Sequence, residues 1–462
     1  MQRTDLRRLA AAATVAVIGL SGAAACSGDK SGSDGGSGAD GSAPLDRNAK
    51  VTITIDCEPP TTKPVQRKEW TDDIAAFNKI YPNVTIKSRD ASPCEQPAAY
   101  AAQLKAGTEP DLFYSYFTDL GTALDAGQVT DITKYVTPET VPAWHDIDPS
   151  VLHTFSDGGA LRGLPRNNYK MGLIYNRKLF QQAGLDPDKP PTTWDEVAAD
   201  ARKISALGNG INGYGEYSAA NTGGWHFTAE LYGLGGTMVS AGGTRAAFND
   251  ATGKQVLQNL YTMRWVDQTT GATQGFKWPD LMTNMVTGKE GMYVGAPDDI
   301  TYMVETLKGN YADYGMGPMP GGKGTLLGGD GYLFKKGLTP DQIKAGIAWL
   351  NFELLTPGKG QFDWARKKAD GLPVGLPEPF LFTGASAEQD SRNKAASATI
   401  PLANYKEYVG TQVPGRVEPP HAQEIYKVLD TAVSAVLTDR NSNIDHLLKT
   451  AESQVNQVLA NS

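Results

Sequence analysis

Three cysteines and five histidines in 462 residues leave little room for metal or thiol chemistry. His145, His153, His226, His421 and His446 show no H-x-H or H-x-x-x-H spacing, so the local pairs that build a zinc site or a His-based catalytic centre are missing. No G-x-S-x-G elbow and no D-x-[DN]-x-[DN]-G calcium loop occurs. Gly317, Gly322 and Lys323 have the spacing of a phosphate-binding loop, but Gly324 stands where Ser or Thr must hold magnesium. That Pro-rich stretch reads as a turn. Positive charge is short as well, with 43 Lys and Arg against 51 Asp and Glu. Loss of Arg3, Arg7, Arg8 and Asp5 with a leader would take the net charge to roughly −10, which argues against nucleic acid or anionic lipid as partner. The one long apolar run, Leu9 to Leu20, has about 12 residues where a bilayer span needs about 20. No catalytic residue, metal or cofactor is predicted.

What is present begins with that run. Arg3, Arg7 and Arg8 precede it and Ser21-Gly22-Ala23-Ala24-Ala25 lead into Cys26, the layout of a secretory signal. The segment resembles a bacterial lipoprotein precursor, in which residues 1–25 are removed and Cys26 carries the lipid, although Ala23 replaces the usual Leu. An ordinary signal peptide is the alternative, and Arg7-Arg8 leaves the general and twin-arginine export routes both open. Residues 26–50, rich in Gly, Ser, Asp and Ala with Leu45 as their only large apolar side chain, read as a flexible tether. Its reach would be about 25–30 Å. The expected location is the outer face of the cell membrane. In an exported chain, Cys57 and Cys94 are expected to form a disulfide, with a metal pair as the weaker reading.

Roughly 410 residues follow, more than one compact core takes comfortably and suited to two domains. Val51, Ile53 and Ile55 alternate as in a strand, Trp70, Ile74, Phe77 and Tyr81 follow helical spacing up to Pro82, and Val84 and Ile86 start a second strand. A helix around Tyr100 and Leu104 and a strand over 111–116 complete an α/β pattern that predicts a mostly parallel sheet. Ligands then sit beyond the carboxyl ends of the strands, at Asp56, Cys57, Glu58, Tyr116 and Phe117. A second α/β pattern starts after Gly163-Leu164-Pro165, with a strand over 172–176, a helix over 178–183 and a capping box at Thr193 and Glu196 beside a packing Trp194. No repeat of 20–50 residues is visible.

Several segments, in this order, carry a resemblance: Leu173-Ile174-Tyr175-Asn176-Arg177-Lys178-Leu179-Phe180, Ala183-Gly184-Leu185-Asp186, Pro191-Thr192-Thr193-Trp194-Asp195-Glu196, Gly288-Lys289-Glu290-Gly291-Met292 and Tyr314-Gly315-Met316-Gly317-Pro318. From about Val51 to Leu459 the chain resembles the extracellular solute-binding proteins of carbohydrate ABC importers, the family that includes maltose-binding protein. That resemblance implies an α/β fold of two lobes (type II periplasmic-binding-protein-like) joined by hinge crossovers, with a sugar held between them. The lobes are expected at 51–163 plus 330–372 and at 164–326 plus 376–462. Hinges are expected at Gly163–Pro165, Leu327–Asp330 and Gly371–Pro377. The implied partners are a small oligosaccharide and an ABC permease with a separate ATPase, the receptor itself being monomeric. A non-carbohydrate solute and a secreted glycosidase are the alternatives.

A sugar offers flat C–H faces and hydroxyl edges, so its receptor needs aromatic planes and polar forks. Trp225, flanked by Gly223 and Gly224, and Tyr426 fall near stacking aromatics of the family. Tyr116 ends its strand. Asp298 stands where many relatives carry a Trp and would accept hydrogen bonds instead of stacking. Glu58, Arg166, Asn167, Asp330 and Arg416 are the remaining polar candidates.

Overall fold

The computed structural model describes residues 41–90, 97–411 and 413–460. Cys26 and Cys94 lie outside them, and with them the lipidation and disulfide expectations. Strand β1 (Val51–Ile55) runs parallel to β2 (Val84–Ser88) and to β3 (Leu112–Tyr116). The helix Pro64–Asn78 joins β1 to β2 and opens on a proline, whose fixed φ suits a first helical turn. It buries Trp70 and Phe77 edge-on to Trp349, with centroids 5.3 and 5.4 Å away. Tyr81, which its spacing places on this helix, lies beyond its end, because the residues before Pro82 are steered out of the helical region. Its ring still packs 5.0 Å from Phe77.

Two long strands carry the chain between cores. β4 (Gly163–Lys170) and β8 (Thr325–Phe334) pair antiparallel, and β8 also pairs antiparallel with β3. Between them in sequence come β5 (Gly172–Asn176), β6 (Met292–Gly295) and β7 (Tyr314–Gly317), which form a separate sheet with β5 central. All its pairings are antiparallel, whereas β1, β2 and β3, the strands expected to be parallel, are so: residue periodicity identifies a strand but carries no information on its direction. The short β9 (Gly415–Val417) extends β8 in parallel.

The buried side chains divide accordingly. One cluster gathers Ile53, Phe77, Leu112, Leu164, Tyr332 and Trp349; a second gathers Leu173, Phe227, Leu326, Ile425 and Val455; a third, beside the second sheet, holds Ile174, Tyr293, Met303 and Tyr405. Leu326 belongs to the second cluster and Leu327 to the first, so β8 passes from one body to the other there. β4 does the same between Leu164 and Tyr169. The third connection touches both bodies. Val374 and Leu381 remain in the first cluster, and the helix Gly384–Ser397 packs on Trp364, whose Nε1 donates to Asp390 Oδ1 at 2.6 Å. Between Val374 and Leu381, Leu376 and Phe380 already pack against the third cluster, which gains its next buried residue at Ile400. A Gly- and Pro-rich run signals a change of direction, not the body on which it lies.

Leu45 brings a further correction. Read as part of the tether, it is buried with the first cluster, beside a cavity of about 160 Å³ that Phe77, Tyr81, Tyr135 and Phe352 help to line. One leucine in a polar segment suffices to dock it where an apolar groove is waiting.

Candidate ligand-binding cleft

The floor of the cleft is set by β4 and β8. The bulge between Asp330 and Gly331 interrupts their ladder and re-aims the side chains around it. Arg166 on β4 then meets Asp330 on β8 with Nε to Oδ1 at 2.6 Å and Nη2 to Oδ2 at 2.8 Å. Its Nη2 also lies 3.3 Å from the Tyr114 hydroxyl, with the guanidinium 5.0 Å from that ring. Tyr116, half-buried, packs edge-on to Tyr114 at 5.6 Å. Two residues beyond Asn167, Tyr169 is half-buried and meets Trp225 edge-to-face at 6.4 Å. Trp225 is held on the helix Thr222–Gly233, which approaches Tyr426 so closely that a Cβ on Gly224 would fall 2.3 Å from the Tyr426 Cα.

A second wall comes from the helix Pro297–Thr301. Asp299 is buried and accepts from the Tyr293 hydroxyl at 3.1 Å and from Trp278 Nε1 at 3.2 Å, while its neighbour Asp298 is exposed. Enclosure by the surrounding protein, followed by the charge of Asp330, raises the Asp298 carboxyl. Glu378, from the third connection, is raised by burial and then by Asp298, while Lys394 partly offsets this. Lys394 Nζ donates to the Glu378 backbone carbonyl at 2.8 Å.

A third group surrounds a cavity of about 410 Å³ lined by Phe117, Asp119, Thr122, Glu418, Gln423 and Glu424, among others. It lies between residues following β3 and residues following β9. Burial lifts Asp119 to about 6 and Glu418 to about 7. Tyr169 joins the two regions electrostatically: besides burial, Glu418 and Asp298 both raise its hydroxyl.

The residues anticipated from sequence divide by what they already hold. Asp298 is exposed, Tyr116, Trp225, Arg166 and Asn167 are half-buried, and Asp330 is buried, with the Arg166 and Asp330 charges satisfying each other. Glu58 is engaged by Arg67 at 3.1 Å. Arg416 donates from Nη1 to the Gly236 carbonyl at 2.7 Å and lies 5.6 Å from the Tyr232 ring. Tyr426 is buried and offers no ring face, giving its hydroxyl to Glu418 at 2.8 Å instead. Asp56 and Phe117 are buried too, Asp56 against Arg89. Sequence reasoning passed over Tyr169, Asp119, Trp278, Glu378 and Glu418. For Tyr169 the period-2 alternation with Asn167 was the available signal; the others have no local signature.

Among the described residues no group of three His, Cys, Asp or Glu is placed to hold a metal ion, and no helix is long and apolar enough to cross a membrane.

The family pattern of bacterial extracellular solute-binding proteins matches residues 63–353. The chain belongs to that family. Among curated relatives, it is 31% identical over 169 residues to the sn-glycerol-3-phosphate-binding periplasmic protein UgpB of Yersinia pestis bv. Antiqua, covering 34% of this chain and 37% of that protein. It is 29% identical over 245 residues to the UgpB of Brucella melitensis, covering 49% and 52%. The matches thus span about a third to a half of the length of these relatives. Among solved structures, a cyclic α-maltosyl-1,6-maltose binding protein from Arthrobacter globiformis aligns with a TM-score of 0.70 at 20% identity, over 90% of this chain and 100% of that one. UgpB from Mycobacterium tuberculosis, in complex with glycerophosphocholine, aligns with a TM-score of 0.63 at 15% identity, over 89% and 98%. The solute-binding protein described here therefore has the two-lobe, type II periplasmic-binding-protein fold.

Proposed function

We propose that this solute-binding protein captures a neutral carbohydrate, a small oligosaccharide, between its two lobes and hands it to an ABC permease powered by a separate ATPase. The observation that carries the reading is the set of half-buried aromatics and acidic acceptors carried by segments of both bodies. Tyr116, Tyr169 and Trp225 supply apolar planes with polar tips, while Asp119, Asp298 and Glu418 supply acceptors for hydroxyl protons. Closure about β4 and β8 would bring both sets onto one ligand, and the closed form is what a permease would distinguish. Residues 1–25 would serve as the export signal, Cys26 as a lipidated first residue holding a monomer at the outer membrane face, and Cys57 with Cys94 as a disulfide beside β1.

The names of the UgpB relatives favour a second reading, a glycerophosphate ligand. A phosphate calls for uncommitted cations. Here Arg166 is matched by Asp330, Arg416 is engaged by Gly236, and four carboxyls, those of Asp119, Asp157, Glu418 and Glu424, line the cavity between the lobes. The charge balance favours an uncharged polyol. Hydrolysis is disfavoured as well: glycosidases set two carboxyls across one bond, whereas Asp298 is exposed and Asp299 is buried against Trp278 and Tyr293.

Thermal unfolding of a soluble form starting at Gly41 tests this against glucose, maltose, maltotriose, trehalose and cellobiose, with sn-glycerol-3-phosphate and glycerophosphocholine alongside. A ligand at 100 times its Kd adds about 2.7 kcal/mol to the folded state. Stabilisation by a neutral sugar recovered intact is the expected result. Stabilisation by the phosphates alone would replace the sugar reading, and a cleaved sugar would restore the glycosidase.

A further inference from the structure

Trp278 is one of four large apolar side chains that remain exposed among the described residues, with 44% of its surface open. It is also firmly held. Its Nε1 donates to Asp299 Oδ1 at 3.2 Å, and its ring lies 4.7 Å from Tyr302 with the planes inclined by 56°. Asp299 is buried and accepts the Tyr293 hydroxyl on its other oxygen at 3.1 Å. The indole is therefore an apolar plane fixed to a buried post. An exposed tryptophan forgoes the burial that would normally stabilise it, and holding one rigid with a face open is the arrangement that lowers the entropic cost of binding a flat apolar partner.

The residue next to that post is Asp298, whose carboxyl is exposed. A plane for C–H groups is thus pinned, through Asp299, to the short helix that also carries an exposed acceptor for hydroxyls. We propose that Trp278 and Asp298 form a ring-binding subsite, in which the indole covers the apolar face of one hexopyranose unit and the Asp298 carboxylate accepts hydrogen bonds from its vicinal hydroxyls. This rests on the carbohydrate reading and narrows it: specificity at this subsite is for a pyranose with two neighbouring equatorial-type hydroxyls, and the aromatic contact comes from the loop before Pro279.

The test is calorimetric titration of the Gly41–Ser462 protein and of Trp278→Ala, Trp278→Phe and Asp298→Asn, using whichever of glucose, maltose, maltotriose, trehalose and cellobiose binds the unsubstituted protein. Trp278→Ala is expected to weaken binding about tenfold while leaving the sugar-free Tm unchanged; a tenfold change is one RT ln 10 of contact free energy. Trp278→Phe keeps a plane but lacks the N–H, and is expected to stay within about threefold of the unsubstituted protein, since it retains most of the stacking surface. Wild-type affinity in Trp278→Ala would overturn the subsite while leaving the carbohydrate reading intact. So would an equal loss in Trp278→Phe, because the residue would then act only through its bond to Asp299. Where Trp278→Ala unfolds, the Phe variant and Asp298→Asn decide, the latter expected to lose affinity at an unchanged Tm. If none of the five sugars binds the unsubstituted protein, the carbohydrate reading fails and the subsite fails with it.

Discussion

Arg166 grips Asp330 through two parallel N–H···O bonds of 2.6 and 2.8 Å, joining the two strands that cross between the cores. Asp330 is 6% exposed, so removing its partner would leave a charge with little access to water. Arg166→Ala is expected to lower unfolding free energy by about 3 kcal/mol, and Arg166→Lys to recover only part, because an ammonium cannot reproduce the fork. Urea unfolding monitored by circular dichroism checks this. Equal stability of the Ala and unsubstituted proteins would show that the pair contributes nothing.

Ligand affinity is expected to depend on pH through the acids at the interlobe cavity. Burial lifts Asp119 to about 6 and Glu418 to about 7. Only their ionised forms are pure acceptors for hydroxyl protons, so sugar affinity should rise between pH 5 and pH 8 and level off above. A flat profile in titrations across that range would remove these two residues from the binding surface.

Inside the second body, His226 Nδ1 lies 2.8 Å from Glu216 Oε1, and the Tyr214 hydroxyl lies 3.2 Å from Glu216 Oε2 and 2.9 Å from Glu230 Oε1. Burial raises Glu216 to about 8 and depresses His226 to about 4. Above its ordinary pKa the unfolded chain has released the Glu216 proton while the folded protein still holds it, so this contribution is lost as pH rises toward about 8. His226 acts in the opposite sense, costing stability as pH falls from its usual 6.5 toward about 4. Glu216→Gln should therefore flatten the decline between pH 6.5 and 8, where each unreleased proton is worth up to about 1.4 kcal/mol per pH unit. An unchanged slope would assign the decline to other acids.

Gly224→Ala places a methyl 2.3 Å from the Tyr426 Cα and 2.4 Å from its carbonyl oxygen. Both are backbone atoms, so one helix has to shift. A loss of about 1–3 kcal/mol is expected from overpacking of this kind, accompanied by weaker sugar binding because Trp225 is the next residue. Unchanged Tm and Kd would mean that the helices tolerate separation.

Leu45→Ala should cost about 2 kcal/mol, in the range of buried leucine truncations, even though the residue belongs to a segment of tether-like composition. Comparison of soluble proteins starting at Gly41 and at Val51 gives the same test by truncation. Identical melting would show that the docked leucine does not matter.

Much of the fold is legible in the sequence because apolar periodicity reports local burial: Val51, Ile53 and Ile55 alternate where β1 runs, and Thr193 with Glu196 forms the expected box, with bonds of 3.2 and 3.1 Å. The antiparallel pairing of the second sheet is not, since it depends on which distant segment a strand meets. The cleft follows the same rule. Asp298 could be singled out from its place in a motif, and Tyr116 from its place at a strand end. Glu418 and Asp119 are 299 positions apart, and nothing near either one signals that burial and the other's charge will raise the Glu418 carboxyl. Tyr426 misleads because the sequence shows a tyrosine on an amphipathic helix but not the glycine-lined helix packed against its backbone.

The side chain of Asn168 gives its Nδ2 to the Phe380 carbonyl at 3.0 Å and takes the Phe380 amide on Oδ1 at 2.6 Å. It therefore imitates one more rung of β-ladder and stitches the returning segment to β4, which is already laddered to β8. Three passages of chain then behave as a single plank. A closure of the kind proposed above would then twist that plank as one piece, because these bonds resist any passage sliding past its neighbours.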